Sequence, residues 1–182
     1  NSPSSVPSGT WTNPTDAYAD GGGYASTSTS TAEQQYGTYG FSLSGYLITQ
    51  VRVRYDAWTA GNEYIRIDVS WDGGGSWSAY QQTTLTTSEQ TYWYNVTSQT
   101  SWTPDKLSDA NFRTRATAVK QGGMSQVDLD WIPVEVTYSS VNYELDLEIQ
   151  WTGVDFGRAN EYLCIYAGAV DAEDIKVYCW FG

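Results

Sequence analysis

The sequence predicts an all-β protein: an antiparallel two-sheet sandwich of the jelly-roll type, followed by a small incomplete C-terminal β-sheet segment. Three observations support this fold class. Short segments of alternating apolar and polar residues recur between residues 11 and 139, with turn residues between them. Aromatic residues, which favour strands, make up 15% of the chain. No apolar repeat of helical period extends beyond one turn.

Two consecutive segments in the first half have the clearest strand pattern. Along residues 46–58 the inward set is Val51, Val53 and Tyr55, and charged residues alternate with them. Along residues 63–71 the inward set is Ile65, Ile67, Val69 and Trp71. The turn residues Ala60-Gly61-Asn62 separate the two segments, so we expect them to pair as a hairpin.

Later strands are predicted at 76–84, 90–97, 112–119 and 127–138, and one short helical turn is predicted to begin near Thr103-Pro104. In the last strand the inward residues shift from Val127, Leu129 and Trp131 to Ile132, Val134, Val136 and Tyr138. The shift lies beside Pro133, which has no backbone N–H for the ladder. We therefore expect a β-bulge next to Pro133.

Composition and pattern divide the chain into three parts. Residues 1–10 are rich in Ser and Pro and are predicted to be a tail or linker. Residues 11–139 hold the sandwich. Residues 141–182 hold three strands, the first of which alternates without a break from Tyr143 to Trp151. Three strands bury too little apolar surface to be stable alone, so we expect the first domain or a neighbouring subunit to complete this segment.

The charge of the chain limits its partners. Its formal net charge is −12, and such a surface repels phosphate backbones and anionic lipid headgroups. This argues against nucleic acid as a partner, and no apolar run is long enough for a membrane span. The chain begins at Asn1 rather than Met and is rich in Ser, Thr and Tyr. We expect a processed protein that is extracellular or attached to the cell surface.

A turn with a distinctive pattern lies at residues 70–77, which read Ser-Trp-Asp-Gly-Gly-Gly-Ser-Trp. It resembles the Asp-box hairpin of sialidases and other secreted β proteins, with Ser76 where that family usually has Thr. The resemblance implies a structural turn formed by Ser70, Asp72, Gly74 and Trp77. In such a turn the carboxylate accepts backbone N–H groups. The motif carries no catalysis in that family, and a sialidase propeller would repeat it.

Residues 11–139 also resemble the jelly-roll-type sandwich modules of secreted archaeal, bacterial and viral surface proteins. The phrases that carry this resemblance are Trp11-Thr12-Asn13-Pro14, Val51-Arg52-Val53, the turn at 70–77, Asn111-Phe112-Arg113 and Asp128-Leu129-Asp130-Trp131. The resemblance implies an extracellular β-sandwich and leaves the ligand open. Residues 141–182 resemble the start of a second such module.

The chain has two cysteines, Cys164 and Cys179, on adjacent predicted strands. Antiparallel pairing across the loop between them can place them opposite each other, at a Cα separation of about 4.5 Å that a disulfide tolerates. Export favours the oxidised pair. Two buried thiols in a sheet are the alternative.

Two further sites follow from short patterns. Asn95-Val96-Thr97 is a sequon, which predicts N-glycosylation of Asn95 if its side chain faces solvent. The pairs Asp16 and Asp20, and Asp128 and Asp130, offer the oxygen ligands that calcium uses. Their spacing matches no dedicated loop, so the sequence allows a structural calcium ion without assigning its ligands. It predicts no other cofactor.

Catalytic groups are poorly supplied. The chain has no His, which excludes Ser-His-Asp and Cys-His sites and His-bound zinc. Asp and Glu are plentiful enough for the carboxylate pair of a glycoside hydrolase, yet no pattern singles out a pair. The sequence therefore favours a protein that is not an enzyme.

Aromatic residues are the remaining candidates for ligand binding. A sugar-stacking platform could be built from Trp58, Trp77, Tyr80, Trp93 and Trp102. Most inward-facing aromatic residues are expected to be core. Trp93 and Trp180 alternate away from their apolar neighbours, so we expect these two to be exposed or to lie in an interface.

These observations lead to two functional hypotheses. The first is an extracellular structural subunit of a filament, pilus or similar surface assembly, in which a strand of one copy completes the sheet of the next. Its partners would be further copies of the chain. The alternative is a carbohydrate-binding or adhesion module of a larger surface protein, with glycans as partners.

The predicted bridge between Cys164 and Cys179 has a direct test. Closing a loop of about 15 residues stabilises a protein by roughly 3 kcal/mol in the loop-entropy model. We expect reduction to speed the proteolysis of residues 141–182 more than that of residues 11–139, as followed by mass spectrometry of the fragments. Identical digestion with and without reductant would favour two free thiols.

Overall fold

The computed structural model describes residues 1–120, 122–123 and 125–140 of the 182-residue chain. The chain divides into two units, of which the first runs from Asn1 to Tyr143. The second unit, Glu144–Gly182, lies outside the described residues, and so do the predicted C-terminal strands. No helix in the described part of the chain is long and apolar enough to cross a membrane.

The described residues form a β-sandwich of two antiparallel sheets. The five-stranded sheet contains β1 (Ala25–Thr27), β3 (Tyr46–Thr59), β6 (Gln90–Asn95), β8 (Val127–Trp131) and β9 (Val134–Ser140). The four-stranded sheet contains β2 (Glu33–Gly37), β4 (Tyr64–Ser70), β5 (Gln81–Thr84) and β7 (Arg113–Val119). The strand order is β1-β8-β3-β6 with β9 also paired to β3, and β2-β7-β4-β5 in the second sheet. The predicted all-β sandwich is confirmed.

Short 3₁₀ helices occur in the connections between the strands. They span Pro14–Tyr18, Thr97–Gln99 and Asp105–Leu107. The last of them is the predicted helical turn after Thr103, whose hydroxyl accepts a hydrogen bond from the backbone N–H of Lys106 at 3.4 Å.

The core lies between the sheets and contains the inward residues of the central strands. The fully buried residues include Val51, Val53, Tyr55, Ile65, Ile67 and Val69. Removing one such large side chain from water contributes about 1.5–3 kcal/mol, so this set supplies a large part of the stability of the sandwich. The strand pattern predicted the set correctly, apart from Trp71, which is only partly buried and packs at the margin of the core.

The predicted hairpin between β3 and β4 is wrong. The two strands lie in different sheets: β3 pairs with β6, β8 and β9, whereas β4 pairs with β5 and β7. The connection through residues 60–63 crosses between the sheets, so the apolar faces of both strands meet in the core. A hairpin turn and a crossing both use Gly and Asn and both put the same residues inward. The pattern alone therefore does not separate them.

A buried carboxylate fixes this crossing. Glu63 is only 1% exposed. Its Oε2 accepts a hydrogen bond from the Thr59 hydroxyl at 2.6 Å, and its Oε1 accepts one from the Ser125 N–H at 2.8 Å. Burial alone would raise the pKa of Glu63, but these hydrogen bonds outweigh it and hold the pKa below its usual value. Glu63 thus ties β3 and β4 to the segment before β8.

Residues 1–10, which their composition predicts as a tail or linker, run beside β2. Ser5 forms an isolated bridge with Gly37, and Gly9 forms one with Gln34. The side chain of Gln34 donates back to the carbonyl of Ser8 at 3.0 Å. The N-terminal segment therefore pairs with the edge of β2 that faces away from β7.

The role of Glu63 is testable by Glu63→Gln. We expect the free energy of unfolding to fall by about 1–3 kcal/mol near neutral pH. The new amide N–H₂ group would face either the Thr59 hydroxyl or the Ser125 N–H, and that donor would lose its acceptor. The pKa of Glu63 is lower in the folded state. Its stabilisation is therefore present above the unfolded pKa and is lost as the pH falls through the folded pKa.

Urea unfolding at about pH 7 and about pH 3 measures this effect. The difference between wild type and Glu63→Gln should narrow at the lower pH. Glu33→Gln, at an exposed glutamate of β2, is the control and should have only a small effect. An equal Glu63→Gln deficit at both pH values would contradict the assignment.

Candidate functional site

The outer face of the five-stranded sheet gathers aromatic and charged side chains. Alternation along β3 turns Arg52 and Arg54 outward. Trp93 of β6 pairs with Arg54, and Glu135 of β9 pairs with Arg52. Directly paired residues share one face of a sheet, so these four side chains lie on the same surface.

A register shift in β8 adds Trp131 to this surface. Asp56 pairs with Trp131, but the next residue, Ala57, pairs with Leu129. Asp130 is therefore the additional residue of a bulge. The bulge turns Trp131 to the outer face, beside Arg54.

The predicted position of this bulge was wrong. The strand pattern predicts that Trp131 points inward and that the slip lies beside Pro133. The structure instead places the slip at Asp130, and the fully buried Ile132 occupies the core. Adjacent residues of a strand point to opposite faces, so Trp131 and Ile132 could not both enter the core. The adjacent apolar residues Trp131 and Ile132 therefore indicate, from the sequence alone, that one of the two must face away from the core.

Arg54 covers one of the two tryptophans. Its Cζ lies 4.4 Å from the centre of the Trp131 ring. Its Nε and Nη2 donate to the two carboxylate oxygens of Asp56 at 3.0 and 2.6 Å. Asp56 is 2% exposed, so its charge requires this bidentate partner. The guanidinium is thereby held over the indole ring.

Arg52 covers the other tryptophan in the same way. Its Cζ lies 4.5 Å from the centre of the Trp93 ring, and its Nη2 donates to Glu135 Oε1 at 2.5 Å. Trp93 still has 41% of its surface exposed, as its position in the strand pattern predicted. The ring is held in place without being buried.

A groove of about 470 Å³ lies on this face between the tryptophans. Trp93 and Trp131 lie on strands that flank β3, so two strand spacings of ~4.8 Å, or roughly 10 Å, separate their backbones. Pro133 and Glu135 line the groove as well. The Ser2 hydroxyl accepts a hydrogen bond from Trp131 Nε1 at 2.9 Å, which fixes the edge of the indole.

Acidic side chains gather farther along the same face. Carboxylate oxygens of Asp20, Glu89 and Asp130 lie within 4.8 Å of one another. Arg54 Nη2 lies 3.8 Å from Asp20, and the backbone N–H of Gly21 donates to Asp130 at 2.8 Å. Burial raises the pKa of Glu89 and of Asp130, and repulsion from the neighbouring carboxylates raises both further.

This cluster contains two of the four residues that the sequence offered as calcium ligands, Asp20 and Asp130. Asp128 instead accepts a hydrogen bond from Gln126 Nε2 at 2.6 Å. Glu89 was not foreseen, because it lies in the connection before β6, where no spacing points to it. Exposed acidic groups often cluster without a metal, so the structural calcium ion stays a prediction.

The aromatic residues considered as a platform are spread over the domain. Trp58 and Trp93 lie on the outer face of the five-stranded sheet. Trp77 and Tyr80 lie under Arg115 and Arg66 on the outer face of the four-stranded sheet, and Trp102 is in the core. They do not form one platform. The pair that the structure brings together is Trp93 with Trp131.

The turn between β4 and β5 is stabilised by its own side chains. Asp72 Oδ1 accepts hydrogen bonds from the Ser76 N–H and from the Ser70 hydroxyl, both at 2.8 Å. These bonds lower the pKa of Asp72 to about 2. Gly74 donates its N–H to Ser70 Oγ at 2.9 Å and has a φ of +100°, an angle that glycine adopts without strain. The likeness to the Asp-box family stays a prediction.

Asn95 is exposed at the end of β6, and its Oδ1 accepts a hydrogen bond from the Thr97 N–H at 3.0 Å. Its glycosylation stays a prediction. Cys164, Cys179 and Trp180 lie outside the described residues.

No family model and no curated protein match the chain. Among solved structures, TmCBM61 in complex with β-1,4-galactotriose is similar with a TM-score of 0.41 and 12% identity, over 72% of this chain and 85% of that one. A carbohydrate-binding module for non-crystalline cellulose, CBM28, has a TM-score of 0.43 and 12% identity, over 69% and 85%. The N-terminal cellulose-binding domain of Cellulomonas fimi β-1,4-glucanase C has 0.41 and 14%, over 69% and 82%. Likeness at this level does not identify a ligand.

The acidic cluster generates a pH prediction. The pKa values of Glu89 and Asp130 are higher in the folded state, so the folded protein binds more protons between the unfolded and folded pKa values. Stability therefore falls as the pH rises through that window. Glu89→Gln should flatten this slope and raise stability near neutral pH by less than about 1 kcal/mol, because Glu89 is exposed.

Thermal melting from about pH 5 to about pH 7 measures the slope. Glu33→Gln, on the other sheet, removes one carboxylate from outside the cluster and should leave the slope unchanged. If Glu89→Gln has the wild-type slope, the carboxylates do not repel one another as described.

Proposed function

We propose that the described domain is a carbohydrate-binding module that holds a glycan on the outer face of the five-stranded sheet. The observation that carries the proposal is the groove between Trp93 and Trp131, with Arg54 between them on β3. A sugar ring packs its C–H face on an aromatic ring and directs its hydroxyl groups to charged side chains at its edge. The groove supplies both kinds of partner.

The side chains around the groove are also held in place before a ligand binds. Arg52 and Arg54 stack on the two indoles and are themselves held by Glu135 and Asp56. Side chains that are already ordered lose little freedom when a ligand binds, which favours affinity. Most of the residues that line the groove lie on strands, which favours a rigid shape.

The size of the groove supports an oligosaccharide. Its volume of about 470 Å³ falls within the ~300–1,000 Å³ that is usual for sites of small ligands. Glu135 and Asp56 are both ion-paired with arginine. Carboxylates that are paired in this way hold the arginines in position for sugar hydroxyl groups. We therefore propose a role for them in binding and none in catalysis.

The filament hypothesis has less support. It requires an open sheet edge and a free donor strand. Ser5 and Gly9 of the N-terminal segment, one of the two candidate donors, bridge to β2 of the same chain. Glycan binding, the alternative of the sequence analysis, is therefore the function that we propose, and an extracellular or cell-surface location is part of that proposal.

Trp93→Ala tests the proposal. Truncating a central aromatic anchor of an interface typically costs more than about 1 kcal/mol, so we expect a loss of affinity of roughly fivefold or more. The measurement is calorimetric titration of the full chain with neutral glycans: β-glucan, β-1,4-galactan, xylan and mannan.

Tyr80→Ala is the matched control. Tyr80 is 53% exposed and lies under Arg66 at 4.4 Å on the opposite sheet, so it has a similar setting away from the groove. It should bind as wild type does. The proposal is wrong if none of these glycans binds, or if Trp93→Ala and Tyr80→Ala bind equally well.

A further inference from the structure

We infer that the ligand is an uncharged glycan chain that runs along β3, from the groove to a second aromatic contact at Trp58 and Tyr24. The inference rests on the proposed function of this sheet face. It adds two properties of the ligand, its length and its lack of charge, that the groove alone does not determine.

The second aromatic contact lies on the same strand and the same face as the groove. Trp58 follows Arg54 by four positions on β3, and residues an even number apart on a strand point the same way. At ~3.4 Å per residue this separation is about 14 Å, which exceeds the length of a disaccharide. A single extended chain is therefore needed to touch both contacts.

Tyr24 completes this contact. Its ring meets that of Trp58 edge to face, with centroids 5.1 Å apart and planes at 74°. Tyr24 precedes β1, the strand next to β8, and 42% of its surface is exposed. The pair is thus the second place on this sheet face where aromatic surface remains open to solvent, after Trp93.

The surface between the two aromatic contacts is acidic. The exposed carboxylates of Asp20 and Glu89 lie beside the stretch of β3 between Arg54 and Trp58, next to the buried Asp130. Carboxylates accept hydrogen bonds from sugar hydroxyl groups but repel the carboxylate of a uronic acid or a sulfate ester. Arg54 and the nearly buried Asp56 neutralise each other as an ion pair, so Arg54 does not offset the repulsion from Asp20 and Glu89.

A ladder of oligosaccharides tests the length. The probes are β-1,4-linked glucose and galactose oligomers from disaccharide to hexasaccharide, titrated calorimetrically into the full chain. For wild type we expect affinity to rise roughly tenfold or more along the ladder, as expected when a second aromatic anchor is reached. Tyr24→Ala should lose that gain for the hexasaccharide and leave the disaccharide unchanged. Tyr80→Ala should match wild type throughout.

A charged probe of equal length tests the second property. Oligomers of β-1,4-linked glucuronic acid should bind roughly tenfold or more weakly than the glucose oligomers at low salt. The difference should shrink as salt screens the carboxylates. Equal or tighter binding of the glucuronic acid oligomers would overturn this part of the inference.

The outcomes distinguish a failure of the inference from a failure of the proposed function on which it rests. If Trp93→Ala abolishes binding but affinity does not depend on length or on Tyr24, the proposed function stands and the inference is wrong. In that case the Tyr24–Trp58 pair only packs the surface. If Trp93→Ala has no effect, or if neither these oligomers nor the xylan and mannan of the first test bind, both are overturned.

Discussion

The double-sided pairing of β3 is the constraint on which the rest of the domain depends. One side of this strand is taken by β6, and the other side must accommodate both β8 and β9 in succession. The chain therefore has to leave the ladder and return between Trp131 and Val134. The bulge at Asp130 belongs to the same adjustment of register, and it determines that an indole points to solvent and not to the core. The groove thus follows from the pairing of one long strand with three others.

Outside the core, one three-part arrangement recurs: an arginine lies between an aromatic ring and a carboxylate. It is formed by Arg54, Trp131 and Asp56 on one outer face and by Arg115, Trp77 and Asp68 on the other. Each guanidinium satisfies a nearly buried acid and covers an otherwise exposed ring. A chain with 9 basic and 21 acidic residues thereby places its few cations where they order aromatic surface.

The faces of the strands could be predicted from the sequence, but their partners could not. Period-two alternation identified Val51 and Ile65 as core because it depends only on neighbours along the chain. The choice between a hairpin and a crossing after Thr59 depends on contacts far apart in sequence, and so does the register that exposes Trp131. The place of Glu89 in the acidic cluster could not be predicted for the same reason. The part of the site that could be predicted was Trp93, whose exposure follows from its own strand.

The alternation of the strands has an evolutionary consequence. Along β3, residues that fill the core and residues that face the groove occupy successive positions: Val53 is fully buried and Arg54 is not. A change at an exposed position such as Trp93 leaves the packing of the interior intact, whereas a change at Arg54 would leave the buried carboxylate of Asp56 unpaired. The exposed side chains around the groove can therefore change one at a time during evolution, through intermediates that keep the same core.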